Sequence, residues 1–259
     1  MGPYFTQPIA TGSEYQVLNS DDHVHPTLQF KVVIVGDSGC GKTSLFSSYI
    51  RGSFPISYEP TIFENHRTFV LNLQSNDILS ADLWDTAGQE EYERLRRLSY
   101  QDANVVIVAY SMDAPESLPN IHEVWAPEVM TYAPNASIIL VGLKSDMIHK
   151  IDPIYASNIA ESIGAVAHIP CSSIQMKNVN ELFNCVFNTA YNKEKMRKHH
   201  QSIQSKNRNS QLHSDINNNN NNYDNNNSQY ENNNLNNKRN SFNSFSSKKL
   251  KRKSKCTIL

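Results

Sequence analysis

The chain has 259 residues, 39% of them hydrophobic, and a net charge of −1, which leaves room for one sizeable core and gives no overall basic bias towards nucleic acid. Its four cysteines (Cys40, Cys171, Cys185 and Cys256) are too few and too scattered for a disulfide framework or a zinc site. No apolar run approaches the roughly 20 residues needed to span a bilayer, and the opening MGPYFTQPIATGSEYQ lacks the plan of a signal peptide, so a reducing compartment is expected.

Residues 1–27 show no strong periodicity and read as a flexible extension. Residues 28–195 alternate apolar runs with amphipathic stretches and read as one α/β domain. Strands are predicted at Lys31–Val35, His66–Leu73, Ile78–Trp84, Asn104–Tyr110, Ser137–Val141 and Val166–Pro170. Several are continuous apolar runs, as in strands covered on both faces. Arg67–Leu73 and Ile78–Trp84, joined by a short polar loop, predict one antiparallel pair. Helical patterns fall at Leu118–Tyr132 and Asp152–Ile163. A last stripe of Val179, Leu182, Phe183, Val186, Phe187 and Ala190 follows the spacing of a core-facing helix, with Asn178 or Asn180 available as its cap. The expected fold is a three-layer α/β domain with a six-stranded, mostly parallel sheet. Residues 196–259 read as a disordered tail: 14 asparagines between Asn217 and Asn237 cannot bury enough surface to offset the entropy of ordering.

Gly36, Asp37, Ser38, Gly39, Cys40, Gly41, Lys42 and Thr43 spell GDSGCGKT, the pattern G-x-x-x-x-G-K-[ST], after a strand and at the start of a helix. The glycines let backbone N–H groups curl around a phosphate, and the helix start, including Ser44, adds partial positive charge. Lys42 supplies a full charge between β- and γ-phosphates, and the Thr43 hydroxyl suits Mg²⁺. WDTAGQ follows at Trp84–Gln89: Asp85 can hold the metal through water, Gly88 offers an N–H near the γ-phosphate, and Gln89 can orient an attacking water. LKSD ends a later strand, where α/β folds bind ligands. Asp146 there can accept two hydrogen bonds from guanine N1 and N2, donors that adenine lacks, while Lys144 lays its stem along the purine. Cys171–Ile174 by itself reads only as a polar turn.

On these motifs the chain resembles the Ras superfamily of small GTPases and, within it, the Rho family, most like Rac. The likeness covers Phe30 to about Tyr191 and includes YEPTIFEN at Tyr58–Asn65, WDTAGQEEYERLRRLSY at Trp84–Tyr100 and SLPNIHEVWAPEV at Ser117–Val129. The resemblance implies GTP and GDP as ligands, Mg²⁺ as cofactor and hydrolysis of GTP. It implies that Thr61 reaches Mg²⁺ and the γ-phosphate, Phe54 lies edge-on to the guanine, Tyr58 closes over the phosphates, and Ser172 and Ser173 recognise the guanine O6. It makes Tyr58, Glu59, Pro60, Thr61, Ile62, Phe63, Glu64 and Asn65 the effector region. The partners it implies are effectors, exchange factors, GTPase-activating proteins and a dissociation inhibitor, with actin-cytoskeletal signalling as the role. Four departures mark the chain as divergent. Ser38 stands where most Rho and Ras members have glycine, Leu143 replaces an Asn or Thr, and Ile174 replaces the lysine of S-A-K. The 26 positions from Asp146 to Ser172 also leave no room for the Rho insert helix.

CTIL at Cys256–Leu259 fits a C-a-a-X prenylation signal, and six basic residues lie between Lys248 and Lys255. One lipid holds a protein only marginally, so the basic run is read as a second signal for anionic lipids. The expected location is the cytoplasmic face of a membrane, the plasma membrane above all. Two other readings compete with the switch. One is an adaptor that hydrolyses slowly or stays GTP-bound, suggested by Ser38, Leu143 and Ile174. The other is an ATP-using phosphate-loop enzyme, which would need a substrate domain that the remaining sequence does not supply.

Overall fold

Val32, Val33, Ile34 and Val35 are wholly buried because their strand lies mid-sheet with other elements packed on both faces. The computed structural model describes residues 14–18, 25–55, 63–148, 151–199 and 201–203. Two compact units divide at Arg197, and all that follows concerns the first, Met1–Arg197. In chain order its strands are β1 (Tyr15–Leu18), β2 (Leu28–Gly36), β3 (Phe63–Asn72), β4 (Ile78–Thr86), β5 (Val105–Ser111), β6 (Ser137–Leu143) and β7 (Ala167–Pro170). The helices are α1 (Lys42–Arg51), α2 (Glu93–Ser99), α3 (Ser117–Asn120), α4 (Ala126–Tyr132) and α5 (Pro153–Ser162), followed by α6 over residues 179–199.

The sheet runs β1-β3-β4-β2-β5-β6-β7. The β1–β3 and β3–β4 pairs are antiparallel and the rest parallel, so the predicted antiparallel hairpin is present. One core layer joins α1 and α6 to one face of the sheet, with Tyr49 stacked on Phe183 at 3.7 Å between ring centroids. The other joins α3, α4 and α5 to the opposite face through Leu118, Ile121, Trp125, Val129 and Ile159. Between Asp146 and Ser172, α5 is the helix among the described residues, which matches the short spacing there.

Three expectations need correction. The sheet has seven strands, because Tyr15–Leu18, expected within a flexible extension, pairs with Phe69–Asn72. A four-residue strand has too few positions to show a period. Tyr15 anchors it by packing on Phe187 and bonding Asn188 Oδ1 at 2.7 Å, contacts far away in sequence. The helix expected over Leu118–Tyr132 is interrupted by a wide π-type turn at Ile121–Trp125, where the Ala126 N–H donates to Ile121 O. Pro127 accounts for it: proline has no N–H to donate and its ring crowds the carbonyl four residues back, so the ladder widens just before it. Finally, the domain end placed at residue 195 falls inside α6, which continues beyond it. The Asn-rich segment, the basic run and Cys256 lie outside the described residues.

Candidate functional site

β2 ends in Gly36, and the loop to α1 forms the floor of a cleft. Gly36 has φ 147°, and a Cβ there would lie 2.2 Å from Ala109 O on the neighbouring strand, so only glycine fits. Gly41, at φ 111°, precedes α1 with no side-chain cap, which leaves the first N–H groups of a ten-residue helix facing the loop. Lys42 is buried, its Nζ donating to Gly36 O and Asp37 O at 2.8 Å each, so its charge sits inside the loop. Ser38, Gly39, Gly41, Lys42, Thr43, Ser44, Gly88, Gln89 and Lys144 converge on this cleft of about 130 Å³. Cys40 faces the core beneath, and burial pushes its thiol pKa up.

Asp85 is the penultimate residue of β4, beside the loop, and only 1% of its surface is exposed. Burial raises its carboxyl pKa, while a hydrogen bond with Thr43 and the charge of Lys42 pull it down. Its Oδ1 is buried without a hydrogen-bond partner. A buried acceptor left open beside a hydroxyl and a loop of N–H groups fits a metal-bound water, so Asp85 and Thr43 suit Mg²⁺. Gly88 packs directly on the loop: a Cβ there would come within 2.4 Å of Ser38 N and 2.5 Å of Gly36 O. Gln89 is the next residue and is half-buried at the rim.

The side chain of Asp37 is engaged within the protein. Its Oδ1 accepts from Trp125 Nε1 at 2.7 Å and its Oδ2 from Asn120 Nδ2 at 2.8 Å, so the carboxylate clasps the α3–α4 segment rather than a ligand. Five residues apart on an α-helix would point in nearly opposite directions, and the π-type turn brings Asn120 and Trp125 onto one face. Arg96 lies over the Trp125 ring at 4.7 Å and pairs with Glu128 through Nε and Nη2 at 2.7 and 3.0 Å. These contacts join residues 32 and 88 positions apart, and no spacing rule exposes them.

A second cavity, of about 220 Å³, continues from Gly41 and Ser44 to Phe54, Leu143, Lys144, Asp146, Met147, Ser173 and Ile174. Lys144 follows β6 at φ 60°, an uncommon backbone state for a non-glycine, and its Nζ reaches Asp113 Oδ1 at 3.4 Å. Asp146 is exposed and accepts from the buried Ser172 Oγ at 2.5 Å, which joins the LKSD turn to the Cys171–Ile174 turn. The two turns are also tied through the backbone, Ser145 N to Cys171 O at 3.0 Å. The structure therefore brings together the residues read from both motifs. Phe63, Glu64 and Asn65 are exposed at the start of β3, with the Phe63 ring edge-on to Trp84. Tyr58, Glu59, Pro60, Thr61 and Ile62 lie outside the described residues.

Comparison with known proteins accounts for this arrangement. Residues 31–192, which carry both ends of the cleft, match the Ras family. The chain belongs to the Ras family of small GTPases. It is 41% identical over 193 residues to the GTP-binding protein RHO4 of Saccharomyces cerevisiae, covering 71% of this chain and 65% of that one. It is 41% identical to rho4 of Schizosaccharomyces pombe, over 59% of this chain and 82% of the relative. RHO2 of Saccharomyces cerevisiae is also 41% identical, over 62% and 88%. The match thus spans just under two thirds of the budding-yeast RHO4 relative and most of the other two. Within the Ras family this is a Rho-type GTPase.

Proposed function

We propose that this Rho-type GTPase is a switch that binds GTP, engages effectors in that state and returns to a GDP state by hydrolysis. The observation that carries the reading is the cleft itself, with Lys42 and Asp85 buried at one end and Asp146 tied to Ser172 at the other. The guanine base enters beside Lys144, and its N1 and N2 donors meet the Asp146 carboxylate. Lys42 and the loop N–H groups hold the phosphates. Thr43 and Asp85, with Thr61 from the first switch, would hold Mg²⁺, which when bound neutralises charge building on the phosphate oxygens. Gln89 orients a water for in-line attack on the γ-phosphorus, and Gly88 offers its N–H to the γ-phosphate.

Nucleotide extracted from the purified protein, followed by single-turnover hydrolysis, tests this. Guanine nucleotide and a turnover that Gln89→Leu slows are the expected results. Bound adenine nucleotide, or an unchanged rate in Gln89→Leu, would count against the reading.

A slower switch is favoured by one observation: exposed Ser38 lines the cleft with Gly88 and Gln89, where an activator's arginine would enter. Such an arginine contributes about 10³–10⁵ in rate, so Ser38→Gly should raise activator-stimulated turnover more than intrinsic turnover. We also propose lipid attachment at Cys256, supported by the basic run before it, at the cytoplasmic face of a membrane. Cys256→Ser should then shift the protein to the soluble fraction. Among the described residues no helix is long and apolar enough to cross a membrane. A role in cytoskeletal signalling rests on the Rho likeness alone.

A further inference from the structure

The geometry points to Arg96 as a positioning residue for Gln89, acting on main-chain carbonyls rather than on substrate. This rests on the reading of Gln89 as the residue that orients the water. Arg96 is on α2 with 4% of its surface exposed. Its Nη1 donates to Ala87 O at 3.0 Å and to Gln89 O at 3.3 Å, one residue on either side of Gly88. Its other two donors grip Glu128, whose Oε1 also accepts from Tyr100 at 2.7 Å. The Trp125 ring lies under the guanidinium, and Trp125 itself is fixed by Asp37 of the phosphate loop.

Residues 87–89 are therefore held from two directions. On one side Gly88 rests against Ser38 and Gly36 of the phosphate loop. On the other a planar fork, anchored by a carboxylate and an aromatic face, holds the flanking carbonyls. Arginine suits the position because three donor groups point along fixed directions in one plane. A lysine there would keep the charge but could not hold Glu128 and both carbonyls in one geometry. Since Arg96 is carried by α2 and holds the Ala87 and Gln89 carbonyls, displacement of α2 would move Gln89 relative to the phosphates. The water-orienting amide is then coupled to the face that α2 presents.

The test uses full-length protein loaded with GTP and Mg²⁺, comparing Arg96→Lys, Gln89→Leu and the two combined. A second construction, Arg96→Met with Glu128→Gln, removes both charges together and keeps an acceptor for Tyr100, so no buried ion is left alone. Arg96→Lys should slow single-turnover hydrolysis about 10-fold to 10²-fold, as expected when a reacting group is misplaced by about an ångström. GTP release should change little, because the fork touches no part of the phosphate loop directly. Added to Gln89→Leu, Arg96→Lys should cost nothing further, because both changes disable one group. The Arg96→Met, Glu128→Gln protein should repeat the slowing. Native hydrolysis in either Arg96 protein overturns the inference. So does slowing matched by faster GTP release, which would mark general loosening, and so do effects that multiply with Gln89→Leu. If Gln89→Leu itself hydrolyses at the native rate, the functional reading fails instead.

Discussion

At the phosphate end of the cleft, Lys42 and Asp85 are 6% and 1% exposed and are enclosed by main chain and hydrogen-bonded side chains. At the base end Phe54 and Ile174 are 40% and 59% exposed, and Asp146 faces solvent. The first is a rigid polar socket in which Gly36, Gly88 and the Asp37 clasp fix positions to within contact distance. The second is a slot with largely apolar walls, in which a single carboxylate supplies direction. Electrostatic catalysis needs groups fixed before the reaction, because reorganising dipoles during it costs free energy. Choosing a base needs only a pair of donors matched to a carboxylate. On the proposed function, chemistry belongs to the first end and selectivity to the second.

The largest expected effect breaks the rigid end. Glu128→Ala leaves the Arg96 guanidinium buried without its carboxylate, and removing one partner of such a pair costs about 3–5 kcal/mol. Denaturant melts should show a loss of that size. A change below about 1 kcal/mol, the worth of a surface pair, would show that the Arg96–Glu128 pair is not a structural unit.

Lys42→Ala strikes the phosphates. Hydrogen bonds to charged groups contribute about 1.5–3 kcal/mol, so GDP affinity should fall at least about tenfold in a direct titration. Phe54→Ala, at the half-open base end, should weaken GDP less than Lys42→Ala does. A reversed order would mean that the slot, not the socket, holds the nucleotide.

Asp85 supplies a smaller, pH-dependent effect. Burial raises its folded-state pKa above the usual 3.8, so above that value the folded protein binds more protons than the unfolded chain. Its contribution therefore turns unfavourable as pH rises through the window between the unfolded and folded pKa values. Asp85→Asn should flatten this slope in melts with metal chelated, from the usual carboxylate range upwards. The same change should reduce any gain in GDP affinity from added Mg²⁺. An unaltered slope would show that Asp85 is not the group held against its preference.

How far the two ends could be read from sequence follows from the range of the forces involved. The socket's loop was legible because positive φ and close approach restrict Gly36 and Gly41 to glycine, leaving a local pattern. LKSD and Ser172 were legible only as separate turns, and the Ser172–Asp146 bond depends on neighbouring strands β6 and β7. The clasp was hidden: Asp37 looked like one more loop residue, and only Pro127 hinted at the wide turn that aims Asn120 and Trp125 at it. The strand β1 was hidden for a similar reason, since Tyr15 is fixed by Phe187 and Asn188 rather than by its own neighbours. Arg96 and Glu128 stood in a resemblance to the family without any indication that they meet.

The division between selectivity and chemistry is tested most directly by Asp146→Asn supplied with XTP. Xanthine keeps the N1 donor but carries an acceptor at position 2, so an amide meets it with one donor and one acceptor. The variant should bind XTP in preference to GTP and hydrolyse it in a single turnover at close to the native rate on GTP, with Gln89→Leu slowing both. XTP that binds but is not cleaved, or a variant that still prefers GTP, would contradict the assignment of base choice to Asp146 and of chemistry to the phosphate end.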